Sequence, residues 1–444
     1  MTAAPHTVVE DYLDGLLTRY GDDDSGAVAD YIPQLAAADP TRFAIALSAV
    51  DGAVHSTGDD QCTFTIQSVS KPFVYALALH YLGREAVAET VDVEPSGDPF
   101  NELSLEAETG RPLNPMINAG ALAVHGLLAP DDGAHLGGFA RVHEGLSAFA
   151  GRPLGVDEAV YESELATAFR NRSLTNMLRS YDIVTGDPDQ VLRGYTRQCA
   201  IEVTARDLAM MAATLANGGV QPLTGEQVIS RPIVREVLSV MATCGMYDGA
   251  GDWLARVGIP AKSGVCGAIM GVLPGQAGLV TFSPRLDRHG NSVRGVQVFE
   301  RISDEMGLHL MEVAPPARGA VRHEHVPETL GSRAAEVFWL QGSIHFAGAE
   351  NLLRSVAELG PGEGKVVLDL THAYSLNPVS QLFITQAARS AEEIGRDVEV
   401  IDPDGLLGGQ DTAEDWTEPD WIEPDWVDPD WSESEGTDQV ADPV

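Results

Sequence analysis

The sequence predicts an α+β protein with two folded units and an acidic tail, and three observations support this prediction. The chain is 444 residues long, which exceeds the usual length of one domain. Across residues 1–311, strand-like segments lie on both sides of a long and mostly helical region. Across residues 331–405, apolar strands alternate with amphipathic helices, as in a compact α/β domain.

The first unit is predicted to begin with a short helix and a hairpin. The segment VADYIPQLAAADP favours a short helix, and RFAIALSAVDGAVHSTGD favours two strands joined at Asp51-Gly52, a hairpin signal. FTIQSVSKPFVYALALHYLG then indicates a strand end or loop that enters a helix, with Pro72 in the first helical turn. Ser68 is therefore expected near a helix N-terminus.

The middle of the first unit is predicted to be helical, and strands are expected to return after it. Apolar residues recur at three- and four-residue spacing in LSAFAG, RSLTNMLRSYDIV and VTARDLAMMAATLANGG. Strands are predicted at VGIPAKSGVCGAIMGVLPG, GLVTFSPRL and SVRGVQVFERI, each interrupted by glycine or proline. Strands outside and helices between them give the α+β layout.

The second unit is predicted to follow a linker. Residues 312–330 combine prolines and charges with little periodicity, which favours a linker. Residues 331–405 then alternate the strands VFWLQGSIHFAG, KVVLDLT and DVEVIDPDG with the helices AENLLRSVAELG and PVSQLFITQAARSAEEIG. Residues 406–444 are predicted to be a disordered acidic tail that repeats DWTEP, DWIEP, DWVDP and DWSES. Its four evenly spaced tryptophans are Trp416, Trp421, Trp426 and Trp431.

Charge and cysteine content limit the expected partners and compartment. A formal net charge of −38 disfavours nucleic acid and anionic membrane surfaces, because both would repel the protein. The four cysteines lie far apart with no C-x-x-C pair, and the histidines show no metal-ligand spacing. The first thirty residues have neither the pattern of a signal peptide nor that of a membrane span. We therefore expect a cytoplasmic protein that uses no metal or organic cofactor.

Ser68-Val69-Ser70-Lys71 is the first motif that indicates chemistry. The spacing places the Ser68 hydroxyl and the Lys71 amine on one face of a helix. A neutral lysine can take the proton of a serine and make it a nucleophile, and burial lowers the lysine pKa. The motif alone is weak evidence, and an exposed helix pair is the ordinary alternative. The scarcity of lysine strengthens the catalytic interpretation, because the chain contains only Lys71, Lys262 and Lys365.

Lys262-Ser263-Gly264 is the second motif. It resembles the K-S/T-G strand of serine β-lactamases and penicillin-binding proteins, whose edge faces the nucleophile. Gly264 allows a close backbone approach, and the N–H of Val265 could join that of Ser68 in an oxyanion hole. The alternative is a glycine bulge in an edge strand with Lys262 in solvent.

From Gly26 to about Ile302 the chain resembles serine-dependent glutaminases. The matching segments are VADYIPQLA, DGAVHSTGD, IQSVSKP, EPSG, NPMINAGA, ESELATAFRNRS, YTRQCAIEVT, MAATLANGG, CGMYDGAGDW, PAKSGV and GNSVRG. The resemblance implies a β-lactamase-like fold, an antiparallel sheet plus a helical cluster, and hydrolysis of L-glutamine to L-glutamate and ammonia. It implies catalytic roles for Ser68, Lys71, Tyr247 and Val265, and substrate binding by Tyr31, Ser68, Asn118, Glu164, Asn171, Tyr195, Tyr247 and Val265.

The chemistry of the implied residues fits a free amino acid. Glu164 can pair with a substrate ammonium, while Asn118, Asn171 and Tyr195 offer donors to an α-carboxylate. Glu164 and Asn171 are seven residues apart, so one continuous helix would place both on one face. Tyr247 is expected to relay protons among the serine, the lysine and the departing ammonia.

Residues 331–405 resemble a STAS domain through WLQGSIHFAG, VVLDLT and the helix at LNPVSQL. Pro378 occupies the position where such phosphoswitch domains carry a phosphoacceptor, so a partner, an unknown ligand or a second copy is the expected role, and a solubilising or oligomerising module is an equal alternative. The resemblance of the first unit also implies a homo-oligomer. Two other functions remain open at this point: another S-x-x-K amidase, and an inactive STAS-based signalling or scaffold protein.

Overall fold

A computed structural model describes residues 7–97, 104–128, 138–312, 320–327, 334–344, 346–362 and 364–408. The chain divides into two compact units between residues 313 and 314. Most of the predicted tail, residues 409–444, lies outside the described residues.

A five-stranded antiparallel sheet lies at the centre of the first unit, in the order β2-β1-β8-β7-β6. Its strands are β1 (Ala44–Ala49), β2 (Val54–Gly58), β6 (Ala261–Ser263), β7 (Ala268–Leu273) and β8 (Ala277–Phe282). A smaller sheet joins β3 (Phe64–Thr65), β5 (Ile201–Val203) and β4 (Gly155–Val156). The predicted hairpin is confirmed, and Gly52 in its turn has a φ of +92°, which favours glycine.

Helices lie on both faces of the five-stranded sheet and in a cluster beside it. They are α1 (Val8–Tyr20), α2 (Pro33–Ala36), α3 (Lys71–Leu82), α4 (Arg84–Ala88), α5 (Asn118–Leu127), α6 (Phe139–Ala150), α7 (Glu158–Thr167), α8 (Phe169–Ser180), α9 (Pro188–Cys199), α10 (Ala205–Ala216), α11 (Arg231–Cys244), α12 (Ala250–Arg256) and α13 (Val293–Met306). The predicted helices and the strands β6, β7 and β8 are therefore confirmed.

The alternation of β1 explains the two layers. Ala44 and Ala46 pack in the cluster that contains α3 and α10, whereas Ile45 packs with α1 and α13 on the opposite face. Helix α10 lies very close to the sheet, since a Cβ at Gly278 would come 2.4 Å from the carbonyl oxygen of Ala209. The alanine-rich sequence of α10 permits this approach, and small residues on both elements hold the helix against β8.

The strand predicted at SVRGVQVFERI is wrong, because these residues form α13. The Ser292 side chain accepts a hydrogen bond from the Gly295 N–H and caps the helix. Val298, Phe299 and Ile302 are buried at helical spacing. The valines favour a strand locally, but the Ser292 cap and the burial of one face stabilise a helix.

The second unit contains a four-stranded sheet in the order β12-β11-β10-β9. Its elements are β9 (Val321–Val326), β10 (Ala335–Ile344), α14 (Phe346–Ala357), β11 (Lys365–Leu376), α15 (Pro378–Glu393) and β12 (Asp397–Ile401). Strands β10, β11 and β12 are parallel, and β9 pairs with β10 in the antiparallel sense. Apart from β9, the strands and helices match the predicted alternation.

Two boundary predictions around the second unit need correction. The expected linker 312–330 contains β9, because paired backbone groups and cross-strand contacts stabilise a segment whose sequence lacks apolar alternation. The predicted tail began at residue 406, yet Leu406 and Leu407 pack against the core of this unit. The Asp402 carboxylate fixes them by accepting hydrogen bonds from both of their N–H groups.

Candidate active site

Ser68 lies in a 3-10 turn, Gln67–Ser70, that leads directly into α3. Gln67 has a φ of +51°, a conformation that costs a non-glycine residue energy. Buried hydrogen bonds hold this turn: the Ser70 hydroxyl donates to the Gln67 carbonyl at 2.7 Å, and the Gln198 amide donates to the Ser70 hydroxyl at 2.8 Å. The predicted position of Ser68 at a helix N-terminus is confirmed.

Lys71 begins α3 and is fully enclosed. Its Nζ donates to Asn118 Oδ1 at 2.8 Å and to the Met116 carbonyl at 3.2 Å. Burial lowers the pKa of Lys71 to about 8, since desolvation disfavours the ammonium. A neutral amine is therefore accessible near neutral pH, one helical turn from Ser68.

Tyr247 is also strained and buried, with a φ of +56°. Its hydroxyl donates to the Ser263 carbonyl at 3.0 Å. Burial raises the pKa of Tyr247 well above its usual range, and a hydrogen bond with the Ser68 hydroxyl opposes that rise. The phenol is therefore protonated at neutral pH and contacts the predicted nucleophile.

Lys262 is buried, so the alternative of a lysine in solvent is wrong. Its Nζ donates to the carbonyls of Gly245 and Ser263 at 3.0 and 2.7 Å and lies 4.2 Å from the centroid of the Tyr247 ring. The end of β6 lies against the 3-10 turn, because a Cβ at Gly264 would come 2.8 Å from Val69 Cγ2. Glycine therefore permits the close approach of this strand that the K-S-G motif predicts.

A pocket of about 290 Å³ opens beside Ser68. Most of the sequence-predicted substrate residues line it, namely Tyr31, Ser68, Asn118, Glu164, Asn171, Tyr195 and Val265. Tyr247 instead lines a neighbouring cavity of about 140 Å³, together with Met116 and Ile117. The structure thus collects at one pocket residues that are up to 234 positions apart, since Tyr31 and Val265 both line it.

Glu164 and Asn171 do not share the predicted continuous helix. Helix α7 ends at Thr167, Ala168 has a non-helical ψ of +32°, and α8 begins at Phe169. The Thr167 hydroxyl bonds back to the carbonyls of Ser163 and Glu164, a local contact that competes with helical hydrogen bonding. Both side chains nevertheless reach the pocket from the two helices.

Gln67 is a pocket residue that the sequence reasoning missed. Its Nε2 donates to Glu164 Oε1 at 2.6 Å and to the Thr65 hydroxyl at 3.1 Å. Burial raises the pKa of Glu164 to about 7, and the Gln67 hydrogen bond opposes the rise. The only sequence signal was its position before Ser68, because neither its positive φ nor its partner can be predicted from residue type.

The remaining polar residues complete the pocket wall. The Asn118 amide donates to Asn171 Oδ1 at 3.1 Å, which links α5 to α8. Tyr195 is buried on α9, and burial raises the pKa of its phenol well above the usual range. Tyr31 is half exposed, but its hydroxyl points inward and lies 3.5 Å from Gln67 Oε1.

Two features are absent from the described residues. No helix in them is both long and apolar enough to span a membrane. No group of three or more histidine, cysteine, aspartate or glutamate side chains in that part of the chain is arranged to hold a metal ion.

An antiparallel sheet, a helical cluster and a polar pocket between them define the β-lactamase-like class of protein. The chain belongs to the glutaminase family, whose model matches residues 26–311. It is 46% identical to a glutaminase of Corynebacterium efficiens over 420 residues, which cover 94% of this chain and 98% of that one.

Two solved structures support the same assignment. The crystal structure of Mglu superposes with a TM-score of 0.79 at 46% identity and covers 90% of this chain and 100% of that chain. A probable glutaminase of Bacillus subtilis, complexed with 6-diazo-5-oxo-L-norleucine, superposes with a TM-score of 0.62 at 30% identity. That match covers 70% of this chain and 99% of the Bacillus chain.

Proposed function

We propose that the chain hydrolyses L-glutamine to L-glutamate and ammonia through an acyl-enzyme on Ser68, with Lys71 as the base. The observation that carries this mechanism is the buried Lys71 amine, held at 2.8 Å by Asn118 Oδ1 and one helical turn from Ser68. Membership of the glutaminase family gives the substrate and the reaction. The residues in and beside the pocket supply the proposed nucleophile, the base and the contacts with the substrate.

Acylation begins when neutral Lys71 accepts the Ser68 proton. The Ser68 Oγ attacks the side-chain carboxamide carbon of glutamine and forms a tetrahedral intermediate. The C–N bond then breaks, and the nitrogen leaves as ammonia after it receives a proton through Lys71 and Tyr247. The Tyr247 phenol is suited to this relay because it stays protonated and contacts Ser68.

Deacylation uses the same groups in reverse order. A water molecule gives a proton to the Lys71–Tyr247 pair and attacks the γ-glutamyl ester. The ester C–O bond breaks, Ser68 recovers its proton, and L-glutamate leaves. The backbone N–H groups of Ser68 and Val265 are proposed to stabilise the oxyanion in both steps, since the 3-10 turn and the end of β6 lie side by side.

The pocket is proposed to recognise glutamine by its amino-acid end. Glu164 pairs with the substrate ammonium, and its contact with Gln67 keeps the carboxylate oriented. Asn118, Asn171 and Tyr195 bind the α-carboxylate. The half-exposed ring of Tyr31 closes the pocket over the bound substrate.

The second unit is proposed to be a STAS-like domain. Support comes from three parallel strands with a helix at each crossover, and from α15, whose N-terminus Asn377 caps by accepting the Ser380 N–H. Pro378 at the start of α15 carries no hydroxyl, so this domain binds a partner or ligand without phosphorylation at that position. A homo-oligomer and a cytoplasmic location, the latter supported by four unpaired cysteines that all lie in the described part of the chain, complete the proposal.

Ammonia release from L-glutamine by the purified full chain, beside Ser68→Ala, tests the function. We expect the substitution to lower kcat by about 10⁴-fold or more, because no other group can form the ester. L-Asparagine and D-glutamine serve as substrate controls, and a chromogenic β-lactam tests the broader S-x-x-K amidase function. A folded wild-type chain that releases no ammonia, with phosphate or high salt present as well, would contradict the proposed function.

A further inference from the structure

An exposed apolar surface lies on the second unit where α14 and α15 begin. It consists of Phe346, Val379, Leu382 and Phe383, and we call it the α14–α15 surface. Phe346 is 59% exposed and Leu382 is 46% exposed. Phe383 is half-buried against the core, and its ring lies 5.8 Å from that of Phe346. Val379, Leu382 and Phe383 are spaced three and four residues apart, so they share one face of α15.

The same face of α15 continues into a basic position. Leu382, Gln386 and Arg389 are exposed at helical spacing, and they form a ridge that starts with an apolar residue and carries one cation. Exposed Glu393 lies one turn beyond Arg389 and ends the ridge. No described carboxylate forms an ion pair with Arg389. The positive ends of the α14 and α15 dipoles lie at the apolar end of the ridge. The exposed apolar side chains can therefore contact aromatic rings, and Arg389 and the two helix N-termini can contact acidic groups beside them.

The chain leaves the second unit beside this surface. The Gln381 side chain donates to the Leu406 carbonyl at 2.8 Å, and Gln381 directly precedes Leu382. Leu406 and Leu407 pack against the core of this unit. The residues that follow Gly408 therefore start next to the α14–α15 surface.

We propose that the acidic DW-repeat segment of the same chain, residues 411–433, docks onto the α14–α15 surface. Trp416 follows Gly408 by eight residues, which can span about 26 Å when extended. The part of the ridge from Val379 to Arg389 is about 15 Å long, so the first repeats reach all of it. The tryptophan rings cover the apolar positions, and the neighbouring aspartates and glutamates pair with Arg389.

The composition of the segment fits this surface. No basic residue within the segment can pair with its own aspartates and glutamates. It carries no lysine or arginine, and an Asp precedes each of its four tryptophans. Tryptophans five residues apart are too regular for a packed core. Docking explains both the repeat and the exposed aromatic and aliphatic side chains on the second unit.

The test uses the full chain with Trp416, Trp421, Trp426 and Trp431 all changed to serine, so that its own segment cannot compete. A synthetic peptide of residues 411–433 is titrated into this variant and into the wild-type chain by calorimetry. We expect one peptide to bind per variant chain, and to bind the wild-type chain at least tenfold more weakly because the site is occupied.

Surface substitutions in the same four-serine background locate the binding site. We expect Leu382→Glu and Arg389→Glu each to weaken peptide binding at least tenfold, because one repels the acidic peptide from an apolar position and the other removes the cation. The matched control is Arg354→Glu on α14, an exposed arginine whose charge changes equally. Circular dichroism confirms that each variant is folded.

Three results would overturn the proposal. One is a peptide that does not bind the four-serine variant. Another is equal weakening by Arg354→Glu and Arg389→Glu, which would indicate bulk charge only. The third is wild-type self-association in sedimentation velocity that the four serine changes abolish, because the segment would then dock onto a second copy instead of its own chain.

Discussion

The regions around Lys71 and Lys262 are alike in burial and differ in their partners. Both side chains are enclosed in the first unit, and burial lowers the pKa of both. Lys71 bonds to Asn118, a pocket residue, and lies one turn from Ser68. Lys262 bonds only to backbone carbonyls among the described residues and lies on the face of the Tyr247 ring.

This difference shows that burial alone does not assign a catalytic role. Lys365, the third lysine of the chain, is only partly buried, and its hydrogen bond with Glu399 raises its pKa. Burial therefore distinguishes Lys71 and Lys262 from Lys365. The hydrogen-bond partners then distinguish Lys71, the proposed base, from Lys262, which is proposed to support Tyr247. Lys71 bonds to a side chain that lines the pocket, which fits its proposed role as a base, whereas Lys262 bonds to carbonyls of the segment before Tyr247 and of β6.

The largest expected effect within this comparison is that of Lys71→Met. Methionine keeps the length and apolar stem of lysine but cannot accept a proton, so we expect kcat to fall by about 10³ to 10⁴-fold. Ammonia release under saturating glutamine measures this loss. KM should change little, because Lys71 itself does not line the pocket.

Lys71→Arg separates basicity from charge. Arginine keeps a cation beside Asn118 but cannot lose its proton, so we expect a loss of activity close to that of Lys71→Met. Retention of more than a tenth of wild-type kcat in Lys71→Arg would show that the positive charge suffices, and the comparison between the two lysines would lose its basis.

Lys262→Met should have a smaller effect on rate and a clear effect on stability. The change leaves the carbonyls of Gly245 and Ser263 without their buried donor, which costs about 1–3 kcal/mol of folding free energy. We expect kcat to fall about tenfold, because Tyr247 loses its support but keeps its hydroxyl. Chemical denaturation and steady-state kinetics measure the two effects on the same preparation.

A loss of kcat without a loss of stability in Lys262→Met would contradict the proposal that Lys262 only supports Tyr247. If Lys262→Met lost as much kcat as Lys71→Met while its free energy of unfolding stayed unchanged, Lys262 would have to act on the substrate directly. Lys365→Met is the matched control, since it removes a partly exposed lysine. We expect it to leave kcat unchanged and to change the free energy of unfolding by no more than about 0.5 kcal/mol.

Sequence reasoning predicted most of the residues that line the pocket, because its motifs act over short distances. The S-x-x-K motif lies at the predicted helix start and K-S-G lies on the predicted strand, and Gly264 explains how the two approach each other. The helix break at Ala168 could not be predicted, since it depends on how the Thr167 hydroxyl bonds. The contact of Gln67 with Glu164 joins residues 97 positions apart, so only the fold reveals it.

The errors in secondary structure have a similar origin. The valines of α13 favour a strand locally, and its cap and buried stripe are recognised only when the core is known. Strand β9 has few apolar residues and exists because β10 pairs with it. Local propensity therefore predicted the elements that form the core well, and predicted poorly those whose structure depends on a neighbour.

The pH dependence of kcat/KM tests the protonation states that the proposed mechanism requires of Lys71 and Glu164. Burial raises the pKa of Glu164 to about 7 and lowers that of Lys71 to about 8. The active form of each group is the deprotonated one, because Glu164 must be charged to bind the ammonium and Lys71 must be neutral to accept a proton. Activity should therefore rise with pH through both values, with a limiting slope of two in log(kcat/KM) below about pH 6.5.

Glu164→Gln should change the shape of that profile as well as its height. Removing one titrating group should reduce the limiting slope from two to one and leave a single rise near pH 8, whatever the overall loss of activity. Lys262→Met serves as the control, because the slope should remain two if Lys262 only supports Tyr247. A slope of two in Glu164→Gln would assign the second proton to another group. Lys262 would then be the first candidate, because it is the other buried lysine and lies beside Tyr247.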